Sequence, residues 1–139
     1  MEDYRKVNLA GLDLRDMDLK NIDFRRADLS NANLSGKNVV NCDFTCANLH
    51  GANLNGSNLS GANLRGANMS ECDLRNANLK GADLSGTKLQ NANLCGTNLS
   101  KAYIRGTDIR GVDFENVNLK NAIIKLIYDG KYKRVNSLP

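Results

Sequence analysis

Large apolar residues recur every five positions from Leu9 to Ile124 without an insertion. Of these 24 centres 16 are Leu, and the rest are Phe24, Val39, Phe44, Met69, Ile104, Ile109, Phe114 and Ile124. A smaller residue sits two positions before most centres, Ala in 11 cases. A helix would repeat its apolar positions at three and four, and a strand would alternate throughout. Here the apolar steps are two and three, so the chain alternates briefly and then bends. The bend has its own residues: of the 12 Gly, 11 fall two after a centre, and seven more of those positions are Asn. Both tolerate the positive φ of a sharp turn. Each pentad therefore predicts a short extended side followed by a corner. Sides that return on themselves stack into a solenoid, with neighbouring turns about 4.8 Å apart. The period alone leaves three or four sides per turn open.

The residue before the centre is Asn or Asp in 21 of 24 pentads, failing only at Lys88, Tyr103 and Ile123. Units such as Ala27-Asp28-Leu29, Ala52-Asn53-Leu54 and Ala82-Asp83-Leu84 resemble the pentapeptide-repeat family, and the resemblance runs from residue 7 to 126. It implies an all-β fold, a right-handed quadrilateral β-helix of six 20-residue coils: 7–26, 27–46, 47–66, 67–86, 87–106 and 107–126. The centre and the residue two before it would face inward, the other three outward. Residues 1–6 then form a lead-in and 127–139 a C-terminal capping tail. Residues 122–128 read as a short helix with Asn121 as N-cap and Gly130 just past its end, with a strand as the alternative.

Within that register the end coils are atypical. Val7, Leu12, Met17 and Ile22 replace small residues in the first coil, and Val112 and Val117 do so in the sixth, bulk that would plug open ends. Phe24 and Phe44, 20 residues apart, should stack. Cys42 and Cys72 should point inward, Cys46 and Cys95 outward. The column Asn38, Asn58, Asn78, Asn98 and Asn118 reads as an amide ladder.

Composition narrows the function. At 139 residues the chain holds one domain, with 5% aromatics and no Trp. No apolar run approaches the ~20 residues of a membrane span and no basic-then-apolar segment opens the chain, so the expected location is cytoplasmic, away from the membrane. The four Cys have no zinc spacing and the single His50 completes no site, which predicts free thiols and no metal. Carboxylates are spread around the rod with no converging pocket. The expectation is a protein without enzymatic activity or cofactor.

Folding the chain onto four faces locates the charge, whose net is +4. One face carries Lys20, Lys37, Lys80, Lys101 and Lys120 against Asp18, and the face of Phe24 and Phe44 is also positive. Some members of the resembling family protect gyrase as acidic DNA mimics that dimerise through their C-terminal ends. This chain departs from them in net charge and in its uninterrupted array. The expected function is thus a protein-binding scaffold or structural module of unnamed partner; a gyrase-binding DNA mimic or other nucleic-acid-linked regulator is the alternative. The sharpest candidate contact is apolar: Tyr103 and Ile123 occupy an outward polar position, and Leu126 a corner beside them. With Ile127 and Tyr128 they form a patch to be covered by the chain's own tail or by a second copy.

Overall fold

Nearly every corner is built the same way. The second residue after the centre holds a positive φ at all corner positions but Asp16 and Leu126, 60–73° at the glycines and 55–61° at the other residues. The next amide but one from the centre's neighbour then closes the turn: Ala52 N–H donates to Leu49 C=O at 3.0 Å and Ala62 to Leu59 at 3.0 Å. This is the β-turn class that needs a positive φ at its third residue. Asn is the usual substitute for Gly here, yet Lys6, Arg26, Cys46, Glu71 and Lys101 hold the same conformation. A computed structural model describes residues 2–128 and 131–135, with side chains described as far as Leu126.

Between corners the chain pairs in parallel with itself, and each bridge joins residues 20 apart, from Asn8–Asp28 through Asn98–Asn118. Four pentads therefore separate a residue from its partner in the next turn. Leu64 N–H donates to Asp83 C=O at 2.8 Å, and Asp83 N–H donates back to Ala62 C=O at 3.0 Å. The result is a parallel β-helix, all-β among the described residues.

The interior is filled by two kinds of column. Centres from Leu9 to Ile104 are buried, and so are the small residues between them. Ser, Thr and Cys at the small positions satisfy backbone as they fill space. Thr87, Thr97 and Thr107 donate to the carbonyls of Leu64, Leu74 and Leu84, each at 2.8 Å, and Cys72 Sγ donates to Leu49 C=O at 2.8 Å. Phe24 and Phe44 stack at 4.9 Å with 10° between planes.

The N-terminus departs from the expected lead-in. Strand β1 (Glu2–Asp3) pairs with β2 (Ile22–Asp23), and Tyr4 takes a centre position whose ring lies 6.0 Å from Phe24. The register thus begins one pentad earlier than the leucines indicate. The end is only partly plugged: Ile22 is buried under β1, whereas Val7 and Leu12 remain 38% and 48% exposed.

One corner fails. Asp16 is absent from the residues of positive φ, and no bridge joins Asp18 to Asn38. Lys37, at a position that holds a small inward residue in the pentads on either side, reaches across the gap. Its Nζ donates to the carbonyls of Arg15 and Met17.

The C-terminal segment is a hairpin, not a helix. Strand β3 (Tyr103–Arg105) pairs in parallel with β4 (Ile123–Tyr128), which pairs antiparallel with β5 (Lys131–Val135). Asn121 holds φ 59°, so it is the last regular corner rather than an N-cap, whose backbone is extended. The next corner position is Leu126, which brings no turn, and β4 runs straight through it. Gly130 lies outside the described residues.

Candidate functional site

The residue before the centre has a specific task. Each Asn or Asp there accepts the backbone N–H two residues on through Oδ1, for example Ala10 to Asn8 at 3.0 Å, Asn55 to Asn53 at 3.0 Å and Lys120 to Asn118 at 3.0 Å. This is the local side-chain turn that Asn and Asp favour. Lys88, Tyr103 and Ile123 cannot make it. The amide ladder expected along the rod is subordinate and partial: Asn78 donates to Asn58 at 3.2 Å and Asn98 to Asn78 at 3.3 Å.

Where Asp precedes the centre and Arg follows it, a second layer appears. Arg5, Arg15, Arg25, Arg75 and Arg110 each lay Nε and Nη2 on Asp3, Asp13, Asp23, Asp73 and Asp108, with Nη2–Oδ2 distances of 2.6–2.7 Å. These hydrogen bonds hold Asp13 at about 2 and push Asp3, Asp23, Asp73 and Asp108 below the ordinary carboxylate range. The charges cancel within one pentad.

Of the sequence-predicted basic face, Lys20, Lys80, Lys101 and Lys120 are exposed, but Lys37 is spent on backbone carbonyls. Val40 and Ser60 separate Lys20 from Lys80 in their column, so Lys20 stands apart from Lys80, Lys101 and Lys120.

The predicted apolar patch is half assembled. Tyr103, 40% exposed, pairs in register with Ile123, which is half-buried. Leu126, by contrast, is only 3% exposed. The reason is the missing corner: along the straight β4, Ile124 and Leu126 alternate inward while Lys125 stays out. The backbones of Ile127 and Tyr128 continue β4; their side chains lie outside the described residues.

Sequence reasoning placed Arg65 and Arg105 on the positive face of Phe24 and Phe44 without setting them apart from its other cations. Two shallow clefts open along the corner that follows the Phe24 column. One, of about 400 Å³, is bordered by Arg5, Lys6, Arg25, Arg26, Thr45 and Cys46. The other, of about 490 Å³, lies between Arg65 and Arg105. The signal was present: neither Arg65 nor Arg105 follows an Asp by two. No grouping of three metal-ligating side chains occurs among the described residues. Cys42 and Cys72 are buried and Cys46 and Cys95 exposed, all free; burial pushes the Cys72 thiol up to about 12.

Comparison with known proteins places this geometry among relatives. A model of pentapeptide repeats matches in 8 copies over residues 5–39, 42–81 and 77–116. A pentapeptide repeat protein from the Arabidopsis thaliana thylakoid lumen is 33% identical, with a TM-score of 0.65 over 67% of this chain and 65% of that one. The chain therefore spans just under two thirds of that protein. Rfr23, a pentapeptide repeat protein of the cyanobacterium Cyanothece, is 30% identical with a TM-score of 0.67, over 83% of this chain and 85% of its own. No protein of curated function matches significantly.

Proposed function

The chain belongs to the pentapeptide-repeat family, and on that premise we propose that it is a protein-binding scaffold without enzymatic activity. We read the rod as a right-handed quadrilateral β-helix of six coils, a reading supported by the 20-residue bridge spacing and four corners per period. Residues 127–139 act as its C-terminal cap, a role supported by β5 pairing along the outer edge of β4.

One observation carries the scaffold reading: the fold uses four of every five positions for itself. The centre and small residue fill the interior, the Asn or Asp closes the local turn, and the fourth holds the positive φ. Only the residue after the centre has no duty that recurs in every pentad, the five forked arginines being the exceptions that have one. There the sequence varies freely through Arg65, Ser70, Arg75, Lys80, Ser85 and Gln90. A rod that supports such a column displays side chains without depending on them.

The test replaces those outward residues, the forked arginines excepted, in blocks with Ser while following both melting and partner capture by a photocrosslinker at position 103. A scaffold keeps its melting temperature and loses one specific adduct when the contact block is changed. Inhibition of gyrase in a DNA-supercoiling assay would instead establish the nucleic-acid-linked alternative.

A further inference from the structure

Arginine stands on this rod in two settings. Five arginines fork onto an Asp of their own pentad, whereas Arg65 and Arg105 follow Asn63 and Tyr103 and lack that counter-ion. Both occupy one column two turns apart, about 10 Å along the rod at ordinary strand spacing. Beside them the corner residues are Gly66, Gly86 and Gly106, the only corner column with three successive glycines. The cleft of about 490 Å³ is the consequence: arginines at either end, Ser85 and Gly86 between them, Tyr103 as a wall. The Arg105 guanidinium lies 5.5 Å from the centre of the Tyr103 ring, a cation–π contact that steadies it without neutralising it. The one carboxylate in the cleft, Asp83, reaches Arg65 at 3.6 Å and not in a fork.

We propose that this cleft binds a phosphoryl group. Two guanidiniums bordering one cleft with glycines at its floor suit the several oxygens and the double charge of a phosphate monoester. Each planar fork can take two of those oxygens, and the Ser85 hydroxyl supplies a further donor. The same chemistry is presented by free phosphate and by a phosphorylated side chain of another protein.

The whole chain, labelled with ¹⁵N, is titrated with inorganic phosphate, with a phosphoserine peptide and with its unphosphorylated form, following the Gly86 and Gly106 amides. Saturable shifts with phosphate identify the free anion as ligand. Shifts with the phosphopeptide alone identify a modified protein. Arg65→Ala and Arg105→Ala should each weaken binding about tenfold or more, as loss of a hydrogen bond to a charged group does. Gly86→Asn should abolish it at constant charge, because Asn holds the positive φ and fills the floor. Asp83→Asn keeps the turn acceptor for Ser85 and should tighten binding. Arg75→Ala, which breaks a fork elsewhere, should leave it unchanged. The proposal fails if neither phosphate nor phosphopeptide saturates, or if Arg75→Ala costs as much as Arg65→Ala, with melting temperatures showing that each variant is folded.

Discussion

Asn53 and Lys88 occupy the same place in their pentads and behave as opposites. Asn53 accepts the N–H of Asn55, while Lys88 offers Gln90 no acceptor. Asn53→Ala should therefore lose about 1 kcal/mol in denaturant melts, the net value of an ordinary hydrogen bond, and Asn53→Asp much less. Lys88→Asn should gain a similar amount and raise the melting temperature by a few degrees. The forked aspartates give the rod its acid response. Their folded pKa values lie below the unfolded value of about 3.9, so protons bind the unfolded chain first. The contribution is complete above about pH 5 and is lost as pH falls towards 2, the value of Asp13. Thermal melts at intervals from pH 7 to 2 should be level and then decline across that window, and Arg15→Ala should raise the Asp13 titration midpoint seen by NMR. Thiol chemistry follows burial: in the native protein iodoacetamide should label Cys46 and Cys95 well before Cys42 and Cys72.

At the scale of the element, the corner decides everything. Gly or Asn two after a centre turned the chain wherever the pattern placed one, and these were legible as turns before any coordinates. The hairpin was not. Residues 122–128 contain enough spaced apolar groups to suggest a helical face, and nothing local says that β3 waits alongside as a pairing edge. That edge, created by chain 20 residues earlier, settles the conformation. The same blindness misplaced Leu126, whose direction depends on whether a corner forms before it. Tyr4 was missed because the leucine pattern does not announce a tyrosine as a centre. Leu126→Ala should cost about 2 kcal/mol, the lower part of the range for a buried Leu, since the site lies near the end. Removing residues 127–139 should lower the melting temperature and, by baring the β4 edge, promote end-to-end association measurable by light scattering.

For the whole molecule, all pairing among the described residues of the rod runs to the adjacent turn, so stability is close to one-dimensional. A mid-rod defect is felt on both sides. Leu64→Ala should cost roughly 2–5 kcal/mol, Ala62→Leu should also destabilise by overpacking, and Arg65→Ala should be nearly silent in the melt. Hydrogen exchange should be slowest around residues 44–84 and fastest in the last turn, where Ile109, Phe114 and Leu119 are only half-buried. The period, the inward columns and the sites of the cysteines could all be read from the chain because each follows from one residue and its place in the pentad. The phosphoryl cleft could not, because it depends on what three successive turns put side by side.

The paired Asp and Arg within a pentad have a consequence for how such a rod grows. Asp73-Leu74-Arg75 carries its own counter-ion, its own turn acceptor and its own core residue. When the turn that contains it is copied or lost, this pentad adds no net charge and orphans none. Such pentads lengthen the rod without changing its charge, and selection is left to act on the few arginines that no aspartate of their own pentad holds.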